Sequence, residues 1–342
     1  FLKQRYKNIP IVLGGLEASI RRFIHYDFVQ QKLRQSVLSD AKGDILVYGM
    51  GEKAVIEIAD KIKNKQSLFG INGTCIRIKE GEINDEKIKK INPIILHNTE
   101  DINKNNKLLI ENTKIVEDNM VSDKSQPILQ RQNSDYVLSF SPQKPLTENE
   151  MDDLYNLSFR KDFPDYCKSV PAWNMINSSI TTHRGCYGAC SFCAITIHQG
   201  AIISQRSKES IIDEVKSLVQ KSFFNKTITD VGGPTANMYG TSCKIGWCKT
   251  PSCLFPRICP NLIIDNDIYK RLLQEIKKIP SVKNVFVSSG IRHDLALQKK
   301  DETEFLITEC TSGHLKIAPE HTDNNILKLM RKPPNEELIE FI

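Results

Sequence analysis

The chain has 342 residues, 40% of them hydrophobic and 26% charged, with a net charge of +6 at neutral pH. That length suggests two domains with ordinary cores, and the basic surplus is spread too evenly to define a nucleic-acid surface, although it does not exclude one. No apolar run approaches the roughly eighteen residues needed to cross a bilayer, and the opening FLKQRYKNIP lacks the apolar core of a signal peptide. A cytoplasmic location without a membrane partner is therefore expected, with the ten cysteines reduced.

The segment IPIVLGG reads as a buried parallel strand ending in a glycine turn, and LEASIRRFIHYDFV can follow it as a helix. DILVYGMGEKAVIEIADKI repeats the order of strand, glycine turn and helix. Two such units predict a truncated Rossmann-like domain over residues 1–95. Gly14, Gly15, Gly49 and Gly51 stand where such folds bind ligands, though tight turns alone also require them. Glu17, Arg21, Arg22 and His25 read as solvated helix surface. GINGTCIRIKEGEIN suggests a small hairpin, and the isolated Cys75 and Cys167 read as ordinary buried thiols. Residues 96–135, rich in asparagine, lysine and acids, read as a polar linker or a solvated helical insertion. The second domain is expected over 136–342, where Thr147 and Glu150 match a capping box.

The stretch HRGCYGACSFCAITIHQG places Cys186, Cys190 and Cys193 in a C-x3-C-x2-C spacing. Thiols so close in sequence converge on one metal centre without long loop closure, and soft sulfur selects iron–sulfur clusters or zinc. Three ligands leave one iron of a four-iron cubane open for a substrate or cofactor. Small residues around them, Gly185, Gly188, Ala189 and Ser191, let the backbone wrap tightly. The alternative is a structural zinc site completed by His183 or His198, although zinc modules usually present paired C-x2-C knuckles.

This loop resembles the signature of the radical S-adenosylmethionine enzymes. The flanking NMINSSITTHRGCYGACSFCAIT and the later DVGGPTANMYG, SCLFPRICPN and HLKIAPEHT resemble the YgiQ-type subfamily, whose reaction is unassigned. The resemblance implies an α/β fold with a partial (β/α)6 barrel. It also implies a [4Fe–4S] cluster on Cys186, Cys190 and Cys193 that reductively cleaves S-adenosylmethionine to a 5′-deoxyadenosyl radical, which then abstracts hydrogen from an unknown substrate. An electron donor such as a flavodoxin or ferredoxin is implied as partner. The first domain resembles the cobalamin-binding type that precedes many such barrels, but D-x-H-x-x-G is absent and cobalamin is not expected. In this family Phe192 would pack on the adenine.

SSITTH reads as the first barrel strand, KESIIDEVKSLVQK as a helix and TITDV as the second strand, so the cysteines fall at a carboxyl strand end where barrel active sites sit. Gly232-Gly233-Pro234 stands where the family has Gly-Gly-Glu. Pro234 removes the carboxylate, while the carbonyls of Gly232 and Gly233 remain able to meet the cofactor's amino group. Cys243, Cys248, Cys253 and Cys259 form a cysteine-rich insertion at 237–263, either a second metal or cluster site or a loop packed by its own Trp247 and prolines, including Pro251. DIYKRLLQEIKKI is an amphipathic helix and NVFVSSGIRHDLAL a third strand. Its Ser288, Ser289 and Arg292 are binding candidates, Arg292 for the cofactor carboxylate; His293 and Asp294 are weaker ones. HLKIAPEHT resembles the fourth strand, with Glu320 the candidate for the ribose hydroxyls and His321 beside it. Four strands of six imply a barrel incomplete at its C-terminal end. The rival class is a non-catalytic, metal-stabilised binding module, for example for RNA.

Overall fold

The computed structural model describes residues 2–120, 125–167, 170–246, 248, 250, 252–264 and 267–342. The chain forms two compact units. One holds Phe1–Lys144 with Thr196–Gly200 and Trp247–Pro251, and the other holds Pro145–Ile195, Ala201–Gly246 and Ser252–Ile342. Trp247 and Pro251, expected to pack and stiffen the cysteine-rich insertion, lie outside the described residues. Among the described residues no helix is long and apolar enough to cross a membrane.

In the first unit Val12–Leu13 pairs in parallel with Ile45–Val47, as the βα reading predicts. The helix Glu52–Lys63 lays Ala54 and Ile58 against Ile45 and Val47. Beyond this pair the sheet departs from an all-parallel Rossmann-like order. Thr74–Lys79 is no hairpin arm but a central strand, antiparallel to Ile45–Val47 on one side and to Asp135–Ser139 on the other. The cause lies in the connection. Tyr48 N donates to Gly73 O at 2.9 Å, so the loop after the helix has already returned to the carboxyl end of Ile45–Val47 before Thr74 enters the sheet. Ile128–Arg131 is antiparallel to Asp135–Ser139, and Ile94–Leu96 closes the edge in parallel with Ile128–Arg131.

The expected linker at 96–135 therefore contributes to this sheet, and the boundary expected at 136 falls inside the strand Asp135–Ser139. Its polar residues are carried by two helices, Thr99–Lys104 and Lys107–Met120. Asn98 caps the first of these in a capping box with Asp101. Ile115, Val116 and Met120 of the second give enough apolar surface to reach the core beside Leu96 and Ile128. Upstream, the helix after the first glycine turn is short, Leu16–Ile20, and gives way to the antiparallel strands His25–Asp27 and Lys32–Arg34. Arg22, expected on the surface, is buried with its guanidinium carbon 4.4 Å from the Tyr48 ring centroid.

The second unit opens on the helix Glu148–Tyr155, capped by Thr147 and Glu150 as the sequence predicts. Apart from two short antiparallel pairs, His183–Arg184 with Ser204–Gln205 and Thr241–Cys243 with Leu262–Ile264, its described strands pair in parallel. Ser179–Thr181 pairs with Asp230–Gly232, Thr227–Ile228 pairs with Asn284–Val285, and Ile291 bridges to Ile317. Helices Lys208–Leu218, Ile268–Lys277 and Lys300–Glu309 alternate with them, which is the order of a parallel βα barrel wall. Tyr269, Leu272, Leu273 and Ile276 recur at helical spacing and are all at most 1% exposed. Each such aliphatic side chain, fully buried, contributes about 1.5–3 kcal/mol. HLKIAPEHT supplies only the bridge at Ile317, because Pro319 and a left-handed Glu320 (φ 69°) interrupt a regular strand. The architecture is thus mixed α/β, with parallel pairs in both units and the alternating βα order in the cysteine-bearing one.

Candidate metal and cofactor site

The cysteine loop leaves the end of the strand Ser179–Thr181, and the short pairing of His183–Arg184 with Ser204–Gln205 fixes where it starts. Gly185 (φ 90°) and Ala189 (φ 46°) both take left-handed backbone, which curls the loop back on itself. Its turns are held from outside. Ser252 Oγ donates to Gly188 O at 2.8 Å, Cys253 N donates to Tyr187 O at 2.9 Å, and Arg331 Nη1 donates to Ala189 O at 3.2 Å. Ser191 donates twice to the end of the helix Asn324–Met330, from Oγ to Leu329 O at 2.7 Å and from N to Met330 O at 3.2 Å.

Two of the sulfurs face a common space. A methyl placed on Gly188 would lie 3.4 Å from Cys186 Sγ, 3.8 Å from Cys190 Sγ and 3.1 Å from Arg292 Nη1. Cys193 N donates to Cys190 O at 3.0 Å, keeping the third cysteine on the same turn. Burial pushes the Cys186 thiol up, with the Gly188 backbone and the Arg292 charge pulling the other way. Among the described residues no three His, Cys, Asp or Glu side chains are drawn together tightly enough to hold a single metal ion. His183 and His198, the candidate fourth ligands of a zinc site, each set Nδ1 beside a hydroxyl, while His183 Nε2 is buried with no hydrogen-bond partner. His183 is fully buried with Nδ1 2.8 Å from Thr182 Oγ1, and His198 belongs to the first unit, with Nδ1 2.8 Å from Ser19 Oγ.

The glycine pair stands at the end of the second strand, and both positions need glycine. A methyl at Gly232 would lie 2.8 Å from Ser289 Oγ, and one at Gly233 would lie 2.7 Å from His183 Cε1. Ser288 and Ser289 are organised by Asp230, which the sequence reading missed. Their amides donate to its Oδ1 at 2.8 and 2.9 Å, and Ser289 Oγ donates to Oδ2 at 2.5 Å. Ser288 Oγ donates to Thr229 O at 2.7 Å, so both hydroxyl protons are already engaged.

Arg292 is 6% exposed and pinned at its backbone by Asn237, which accepts from Arg292 N at 3.0 Å and donates to Arg292 O at 2.9 Å. Its Nε and Nη2 bond Asp294 at 2.9 and 2.6 Å, so the forked face expected to meet a cofactor carboxylate is taken. Its Nη1 donates instead to Cys190 Sγ at 3.6 Å. Burial opposes its charge, but the Asp294 carboxylate outweighs that and holds the guanidinium firmly protonated. Lys332, a second cation that the sequence did not single out, is 5% exposed, with Nζ 3.7 Å from Glu320 Oε1. Burial and the Arg292 charge lower its pKa, while Cys190 and Glu320 act against them. Phe192 is 52% exposed, so its ring face is available. His293 is buried with no partner for Nε2, and His321 Nδ1 accepts from Asp323 N at 2.9 Å.

The second cysteine set lies on and around a two-stranded pairing. Cys243 ends a strand, Thr241–Cys243, that pairs with Leu262–Ile264, and Cys259 N donates to Cys253 O at 2.8 Å. Cys253 and Cys259 pack among Tyr187, Met238, Leu254 and Leu262, while Cys248 lies in a segment of the first unit. None of the four is in a disulfide. Cys75 is a fully buried thiol, pushed up to about 11 by burial, whereas Cys167 is only half-buried.

The cysteine-bearing unit thus joins a wall of parallel strands and helices to a three-thiol loop at a carboxyl strand end. The chain belongs to the radical S-adenosylmethionine superfamily: residues 1–179 match the family described as Radical SAM N-terminal, and residues 180–342 match the Radical SAM superfamily. It is similar to a UPF0313 protein of Thermotoga neapolitana, 45% identical over 99% of this chain and 60% of that protein. A UPF0313 protein of Methanocella arvoryzae is 40% identical over 100% of this chain and 57% of the relative. The chain thus spans about 60% of the length of these relatives. Among solved structures, the radical S-adenosylmethionine methyltransferase TsrM of Kitasatospora setae, with tryptophan and a cofactor analogue bound, superposes with a TM-score of 0.47. It is 15% identical, over 95% of this chain and 44% of that one.

Proposed function

We propose that Cys186, Cys190 and Cys193 hold a [4Fe–4S] cluster with one iron open to S-adenosylmethionine, and that the chain is the cofactor-cleaving part of a radical enzyme. The observation that carries this reading is the space beside Gly188, onto which the Cys186 and Cys190 sulfurs and the Arg292 guanidinium converge. The donor chemistry fits. Three thiolates bring concentrated negative charge into a half-buried loop, and the buried Arg292 and Lys332 offset it. The spread of the thiols suits a cubane, whose ligated corners stand apart, better than a single zinc ion. When bound, cluster and cofactor together supply a one-electron reductive cleavage and a radical that takes hydrogen from the substrate.

The chain's own residues would position and shield that chemistry. Gly232 and Gly233 carry no side chain to obstruct their carbonyls, which are proposed to accept from the cofactor's amino group. Phe192 offers its exposed ring to the adenine, and Glu320, presented by its left-handed backbone, offers a carboxylate to the ribose. Ser288, just after the neighbouring strand Asn284–Val285, would line the pocket with its hydroxyl oxygen, whose proton is held by Thr229. A low-potential flavodoxin or ferredoxin is the proposed electron donor.

The test is anaerobic iron and sulfide analysis with electron paramagnetic resonance of the reduced protein, with and without S-adenosylmethionine. It compares wild type with the Cys186→Ala, Cys190→Ala, Cys193→Ala triple variant. About four irons and a cofactor-sensitive signal, both lost in the triple variant, are expected. Zinc without iron, or a signal indifferent to the cofactor, overturns the proposal.

A further inference from the structure

We infer that Arg292 sets the reduction potential of the cluster by donating an N–H to the Cys190 sulfur, with Asp294 as the clamp that aims it. The inference rests on the cluster reading above. A guanidinium has five donors in a rigid plane, so fixing two of its nitrogens fixes the third. Asp294 takes Nε at 2.9 Å and Nη2 at 2.6 Å, which leaves Nη1 directed at Cys190 Sγ, 3.6 Å away. The arginine cannot slide along the chain, because Asn237 bonds both its backbone N and its backbone O. Nor is Gly188 incidental, since a methyl there would stand 3.1 Å from Nη1 and close the approach.

Burial makes the contact effective. Arg292 is 6% exposed and Asp294 2%, so solvent screens the donor poorly and it acts on the sulfur at close range. Asp294 largely balances the arginine's charge at a distance. The residual influence on the ligand is therefore local, a hydrogen bond to one thiolate instead of a broad field. Reduction adds one electron from an external low-potential reductant and no proton, so the ligand set becomes more negative by one charge. A donor on a ligating sulfur stabilises that added charge and raises the potential. Arg292 acts through Cys190 and is a positioning residue in this role.

The experiment is a potentiometric titration followed by electron paramagnetic resonance on the anaerobically loaded full chain, comparing wild type, Arg292→Gln and Arg292→Lys at matched iron content. Arg292→Gln is expected to shift the midpoint to more negative potential. Arg292→Lys is expected to fall between the two, because one ammonium cannot hold Asp294 and reach Cys190 with the same geometry. A loaded Arg292→Gln protein with the wild-type midpoint overturns the inference. Should the glutamine variant fail to load, Arg292→Lys decides alone, and a wild-type midpoint there overturns it equally. A wild-type protein that binds no iron defeats the cluster reading first, and the inference with it.

Discussion

Replacing Gly233 by alanine isolates the packing that joins the glycine turn to the strand before the cysteine loop. The added methyl would lie 2.7 Å from His183 Cε1, 2.8 Å from His183 Nε2 and 2.8 Å from the His183 carbonyl oxygen. All three are inside the roughly 3.5–4.0 Å at which carbon packs favourably. None can retreat easily. The ring is fully buried and tied through Nδ1 to Thr182 Oγ1 at 2.8 Å, and the carbonyl belongs to a residue paired in register with Gln205. The methyl gains at most about 0.8 kcal/mol of burial, whereas overpacking a rigid site costs about 1–3 kcal/mol, so net destabilisation of about 1–2 kcal/mol is expected. Urea unfolding followed by circular dichroism measures it. Gly14→Ala, with no atom within 4 Å of its new methyl, is the control and should stay within about 0.5 kcal/mol of wild type. Adding His183→Ala to Gly233→Ala removes the ring contact but not the carbonyl contact. Part of the loss should return, as a coupling of about 0.5–1.5 kcal/mol. A Gly233→Ala protein as stable as the control, or strict additivity with His183→Ala, refutes the packing argument.

His183 also predicts a pH dependence. Burial lowers its pKa from 6.5 to about 4, against a weaker opposing pull from the Thr235 backbone, so the folded protein holds it neutral. The unfolded chain then binds the extra proton. Stability from this group is complete above pH 6.5 and declines as pH falls toward about 4, by about 3 kcal/mol in all. Glu302, raised from 4.5 to about 6 by burial, gives the opposite slope between those values, so the difference between wild type and His183→Gln isolates the histidine. If the two proteins keep parallel stability curves from pH 7 to 4.5, that assignment fails. Asp230→Ala removes the acceptor of three hydrogen bonds from Ser288 and Ser289 and should cost about 2–3 kcal/mol, read from the urea midpoint at unchanged slope. Glu320→Gly and Glu320→Ala both lose the contact to Lys332, but only glycine relieves φ 69°. The glycine variant should be the more stable of the two by up to about 1 kcal/mol in thermal unfolding, and equal stability would show that the backbone there is unstrained.

What could be read in advance depended on how local each feature is. The helix Lys208–Leu218, the helix Ile268–Lys277 and the Thr147–Glu150 capping box are written within a few residues of chain, and they appear where periodicity puts them. The antiparallel centre of the first unit was not legible. The pattern TCIRIK suits a strand of either direction, and direction was set by a loop that returned to Tyr48. Arg22 was misread for a similar reason, since a lone arginine after a short helix looks solvated until Tyr48, distant in sequence, supplies a ring to stack on. At the site, the three cysteines and the glycine pair announce themselves by spacing. Asp230, Asn237 and Lys332 do not, because one polar residue at a strand end or after a helix is ordinary in sequence. Only tertiary pairing with Ser289, Arg292 or Glu320 gives each a role.

The cysteine loop thus depends on parts of the chain that carry no ligand. A helix end leaves its last carbonyls without intrahelical donors. At the helix Asn324–Met330, Ser191 fills two of those places, at Leu329 O and Met330 O. The next residue, Arg331, takes the left-handed conformation that ends the helix (φ 57°) and donates back to Ala189 O, 142 residues away. The exchange is reciprocal, because the loop completes the helix terminus while the helix terminus holds the loop's left-handed turn. Lys332 follows immediately and is carried inward toward Cys190 and Glu320. One short run, Met330 to Lys332, therefore fixes the outer face of the loop and delivers a buried cation beside it. Arg292 and Asp294, on a different strand end, secure the inner face. Under the cluster reading proposed above, a loop held from both sides would need little rearrangement to receive a rigid cluster, and the left-handed backbone at Ala189 and Glu320 marks where that preorganisation would be stored as strain.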